Sequence, residues 1–140
     1  MSILVLATEK PPREVFRFMA LHLDIDLIRE HLAAGDVTYE TAEVNIVSWA
    51  EGFLGLHRSR PSKQPMGLIR VNPDFRHISE DRLKDPIFVV QVPKTGGMIV
   101  DGNHRVAKAY LSGRDTLPAL VFPETEFKKL QAPVKRRKSS

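Results

Sequence analysis

The chain has 140 residues, 42% of them hydrophobic, which is one domain's length with enough apolar material for a real core. It contains no cysteine, which excludes disulfides, thiolate zinc sites and a cysteine nucleophile. The formal charge of +4 is local: six of the 21 Lys and Arg lie in residues 128–140, which hold no acid, so the rest carries 15 basic against 17 acidic residues, a balance of −2.

The opening MSILVLATEKPP lacks a basic n-region and a long apolar run, so no signal peptide is expected. No apolar stretch approaches the roughly 20 residues that span a bilayer. A soluble, cytoplasmic protein without membrane insertion is the expectation. Residues 2–8, SILVLAT, read as a short buried strand bounded by Lys10-Pro11-Pro12. Pro12 suits a first helical turn, and Val15, Phe16, Met19 and Leu23 recur at helical spacing. A helix is therefore expected over 13–23. Asp24 or Asp26 can cap a second helix through LIREHLAAG, with Gly35 as its stop. TAEVNIVSWAEGFLGL (41–56) places Ile46, Trp49, Ala50, Phe53 and Leu54 on one helical face, so it reads as helix with Trp49 in the core, although VNIVSW alone could form a strand.

Residues 57–65, HRSRPSKQP, form a polar hinge with three basic residues. It reads as an exposed loop, and its charge can also face an anion. It divides residues 1–65, an N-terminal strand and helical region of the same domain, from a core over 66–127. Short strands follow: GLIRVNP (67–73), PIFVVQVP (86–93) as a central strand, and MIVDG (98–102) returning after a hairpin turn at Lys94-Thr95-Gly96-Gly97. HRVAKAYLSG is a helix with Val106, Ala109 and Tyr110 on one side and Gly113 at its end. LPALVF (117–122) is a last strand, where Pro118 requires an edge or a strand start. The fold class is α+β, a small mixed sheet with packed helices. Residues 128–140 read as a basic, disordered tail. Its Lys135, Arg136, Arg137 and Lys138 can alternatively contact nucleic-acid phosphates.

The chemistry concentrates at Asp101-Gly102-Asn103-His104-Arg105, where a strand gives way to a helix. Gly102 permits a tight turn or a close backbone approach. A helix starting near Asn103 offers unpaired amides and the positive end of its dipole. With the fork of Arg105 and the titratable ring of His104, these donors suit a phosphate. The plainer account is that Asp101 is an N-cap, Gly102 a turn and Arg105 the partner of a carboxylate. His22, His31 and His77 form no metal-ligand pair by spacing.

Asp85-Pro86-Ile87, Gly102-Asn103-His104-Arg105, Ala107, Gly113 and Leu117-Pro118 follow an order that resembles the core of the ParB/sulfiredoxin-like superfamily, over roughly residues 66–122. The resemblance implies a compact α+β fold whose Gly-x-His-Arg turn holds nucleotide phosphates, ATP or CTP, with Mg2+ as a possible companion. Sulfiredoxins carry a cysteine where this chain has Asn103, so sulfinic-acid repair by that route is excluded. ParB-type partition proteins carry Glu and Arg in place of Asn103 and His104, followed by a metal-binding Glu-Asn pair and a helix-turn-helix. Neither follows here, so a DNA-sliding clamp is not expected. The layout is most similar to small plasmid-borne members that inhibit fertility by suppressing DNA transfer, with ATPase or DNase activity.

Three functions are compatible with these residues. The first is a nucleotide hydrolase or DNase acting in plasmid or DNA transfer and maintenance. In it Arg105 and the helix amides stabilise phosphoryl charge, His104 acts as acid or base, and Asp101 is a base or metal ligand. The second is a non-catalytic regulator, binding DNA or protein, with a degenerate nucleotide pocket. The third is a structural domain with a well-capped helix.

Overall fold

The computed structural model describes residues 15–18, 21–59, 67–69, 71 and 77–131. The strand expected over 2–8 lies outside them. Where a helix was expected over 13–23, the chain forms a β-hairpin of β1 (Val15–Phe18) and β2 (Leu21–Asp24), paired antiparallel. The helical spacing from Phe16 to Leu23 is in fact a cross-strand pair, with both side chains buried. Val, Phe and Phe in β1 suit a pleated surface, and the tertiary partner overrides the helical pattern.

Asp24 then caps α1 (Ile25–Ala34), its Oδ1 accepting from the Leu27 amide at 3.0 Å. Gly35 ends the helix in the left-handed region at φ 71°. Both assignments agree with the sequence reading. The expected helix over 41–56 is split. Residues Glu40–Asn45 form β3, and only Val47–Gly52 form a helix, α2. Thr41 and Val44 are β-branched, and β3 finds a strand partner more than 70 residues away, which no local pattern announces.

After α2, Gly67 to Ile69 are bends and not the strand expected at 67–73. Here the Ile69 amide donates to the Phe53 carbonyl at 2.9 Å, and the Gly67 backbone lies so close to Phe53 and Leu54 that a Cβ would overlap them. A short 3-10 turn, Glu80–Lys84, leads into β4 (Ile87–Val92). The hairpin, with Lys94 at φ 67° and Gly96 at φ 104°, returns as β5 (Gly96–Asp101). Then come α3 (Asn103–Leu111), β6 (Thr116–Phe122) and α4 (Phe127–Leu130).

The molecule is α+β. Its four-stranded sheet has the order β3-β6-β4-β5, with β4 parallel to β6 and the outer pairs antiparallel. Thus β4 is interior, as its apolar run implies. β6 is interior as well, so Pro118 is not at an edge. Its ladder to β4 begins one residue later at Ala119, which spares the missing N–H. Among the described residues before 65, β1, β2 and β3 accompany α1 and α2, and β3 sits beside β6 in one sheet. Strand alternation puts Phe88 and Phe122 on one face, their rings edge-on at 5.7 Å, and Val89, Ile99 and Val121 on the other.

Residues 128–131, expected to begin the tail, belong to the fold. Lys128 and Lys129 lie in α4, Leu130 is fully buried, and Gln131 bridges to Leu23. Lys129 donates to the Asp36 carbonyl at 2.6 Å. Lys135, Arg136, Arg137 and Lys138 lie outside the described residues. Among the described residues no helix is long and apolar enough to cross a membrane.

Candidate phosphate-binding turn

The turn is built by β5 ending against the start of β4. Gly102 adopts φ 100°, and a Cβ there would sit 2.5 Å from Ile87 Cγ2. A glycine is therefore required twice, for the left-handed backbone and for close packing on β4. Its carbonyl accepts the first helical bond, from Val106 at 2.9 Å. Because the N-cap is a glycine, it brings no capping side chain to the first turn of α3.

Asn103 turns inward. It is buried; its Oδ1 accepts from Trp49 Nε1 at 2.7 Å and its Nδ2 donates to the Ile99 carbonyl at 3.1 Å. The side chain thus ties α2 to β5 and is not presented to a ligand. His104, the next residue, is exposed. Arg105 folds back: Nη1 donates to the Asp85 carbonyl at 2.6 Å and to the Pro86 carbonyl at 3.1 Å, while Nη2 is 3.4 Å from Asp101 Oδ2. Burial lowers the Arg105 pKa, with Asp101 and Asp85 opposing that shift. The guanidinium stays cationic, since arginine keeps its proton throughout the physiological range.

The residue that sequence reasoning missed is Arg29. From α1 it reaches Asp101 Oδ2 at 3.4 Å and Asp26 Oδ1 at 3.4 Å, with 46% of its side chain exposed. Nothing local marks it, since it sits 72 positions from Asp101 on an ordinary amphipathic helix. Asp101, only 12% exposed, therefore lies between two guanidinium groups. The hinge residue Arg58 is engaged within the protein. Its Nε donates to the Tyr110 carbonyl and Nη2 to the Arg114 carbonyl, both at 2.6 Å, and Nη2 also pairs with Asp115 at 3.0 Å.

Chemically, this end of α3 combines the positive end of a nine-residue helix, an exposed imidazole and a half-exposed guanidinium. That donor set suits an oxyanion. Among the described residues, no group of three or more His, Asp or Glu is gathered closely enough to hold a metal ion. Compared with protein-family models, with curated proteins and with solved structures, the chain matches none.

Proposed function

We propose that this is a ParB/sulfiredoxin-like nucleotide-binding protein that holds the phosphates of ATP or CTP at the Gly102–Arg105 turn and acts by binding. The observation that carries this reading is the glycine N-cap of α3, with exposed His104 and half-exposed Arg29 beside it. In this reading the α3 amides and His104 contact the phosphates, and Arg29 supplies the second cation. Arg105, Gly102 and Asn103 shape the turn from behind. Any Mg2+ accompanies the nucleotide and takes its ligands from the phosphates and water.

Hydrolase or DNase action is the weaker alternative, because it requires Asp101 as a base or metal ligand. Two guanidinium groups lie 3.4 Å from Oδ2 of that carboxylate, so it is already engaged within the protein. The role that fits is a regulator in DNA transfer or maintenance, with Lys135, Arg136, Arg137 and Lys138 contacting DNA.

Calorimetry with ATP and CTP tests this. Arg29→Ala and His104→Ala should each weaken binding about tenfold, the scale of a hydrogen bond to a charged group. Neither side chain is in the core, so folding should persist. Nucleotide binding by wild type that is unchanged in the double variant would sink the site. Asp101-dependent phosphate release or DNA nicking by wild type would reinstate the hydrolase.

A further inference from the structure

On the sheet face that carries Val89, Ile99 and Val121, α2 leaves an open cleft of about 370 Å³. The strand side chains make its floor, and Trp49 and Phe53 make a wall, their rings stacked at 4.3 Å and 24°. Gly97 keeps the hairpin end clear. A Cβ there would lie 3.4 Å from Val89 Cγ1 and 3.6 Å from Gln91 Nε2, so any larger side chain would enter the space. The rim carries Gln91, Ser48 and Asn45. The Asn45 oxygen accepts from the Val47 amide. The side chains of Gln91 and Ser48 form no hydrogen bond with any described residue.

The geometry points to a binding site for a neutral, planar heteroaromatic ring of the nucleobase type, lying on Val89 and Ile99 against Trp49 and read along its edge by the Gln91 amide. Three observations select that occupant. No lining residue is charged, so an ionised group would lose hydration without a partner. The volume lies in the range of small-molecule pockets and is too small for a helix or strand of a protein partner. Gln91 offers an acceptor and donors side by side, which matches the paired groups on the edge of a base. An aliphatic ligand would leave that amide and Ser48 unused, whereas a flat ring gains aromatic contact.

This site does not rest on the phosphate reading, and uncharged nucleosides separate the two. Trp49 is the only tryptophan in the chain, so one indole N–H resonance reports on the cleft wall. Titrating the full chain with adenosine, cytidine, guanosine or uridine should give a saturable shift of that resonance for at least one nucleoside, matched by calorimetry. Gln91→Leu should weaken the tightest nucleoside about fivefold, the scale of one hydrogen bond. Val121→Phe should fill the floor and weaken it more than about tenfold. If Val121→Phe fails to fold, the wild type and Gln91→Leu decide the matter. Arg29→Ala should leave nucleoside affinity unchanged, even where it weakens nucleotide binding. The proposal is overturned if no nucleoside saturates, if cyclohexanol binds as tightly as the nucleosides, or if Gln91→Leu has no effect.

Discussion

The amide of Asn103 ties α2 to β5 across the core. Its oxygen takes the Trp49 indole proton and its nitrogen gives one to Ile99, all inside the core. Asn103→Ala leaves a buried donor and a buried acceptor unpaired. The expected loss is about 1–3 kcal/mol for each group left unsatisfied, read as a lower urea midpoint at an unchanged slope. Asn103→Asp restores the acceptor but not the donor and should recover part of the loss. The residue types of this turn are plain in the sequence, and so is the need for glycine at 102. Where the side chains point is another matter. Asn103 and Arg105 turn inward because Trp49 and the Asp85 and Pro86 carbonyls lie within reach, and those groups come from remote segments.

At the scale of elements, Arg58 fastens the segment after α2 to the end of α3. Three polar contacts and the face of the Tyr110 ring, 4.3 Å from the guanidinium carbon, converge on one side chain. Arg58→Ala should destabilise the fold by about 1–3 kcal/mol, allowing for its partial exposure. Arg58→Lys should not rescue it, because an ammonium cannot bond two separate carbonyls while lying flat on a ring. Thermal melts of the two variants check this, and equal stability of Arg58→Lys and wild type would contradict it. Element type was legible where local and tertiary preferences agree. α1 carries its own cap and stop, and β4 is a dense apolar run. It was misread where they conflict. Residues 15–24 have apolar residues at helical intervals, and 40–45 adjoin the helical face that runs from Ile46 to Leu54, yet their partners lie across a hairpin or on β6, and pairing outweighs a few tenths of a kcal/mol of local propensity.

For the whole molecule, two dependences follow. Burial, reinforced by the hydrogen bond from its hydroxyl to Glu51, raises the pKa of Tyr110 above its ordinary value of 10.0. The folded state therefore holds this proton more tightly than the unfolded chain. That contribution to stability is complete below pH 10 and is lost as pH rises through the folded pKa. Tyr110→Phe should be less stable at neutral pH and should show a shallower alkaline decline than wild type in denaturation across pH 9–11. A parallel decline in both proteins would show that Tyr110 is not responsible. The second dependence concerns the basic end. Deleting residues 132–140 should leave the melting temperature nearly unchanged and reduce the salt slope of duplex-DNA retention by about 3.6, for the four clustered cations. Deleting from 128 removes fully buried Leu130 as well and should lower stability in addition. DNA retention indifferent to both deletions would return the tail to a solvated end.

Composition and pattern were enough to establish an α+β chain, the absence of thiol chemistry, the β4–β5 hairpin, the glycine turn opening α3, and the local character of the basic charge. These follow from short-range physics: propensity, capping, turn geometry and charge count. The hairpin at the start, the place of β3 beside β6, the inward turn of Asn103, the arrival of Arg29 at Asp101 and the cleft beneath Trp49 all depend on segments tens of residues apart. Their geometry exists only once the sheet is assembled, because burial and pairing reward contacts that no local window contains.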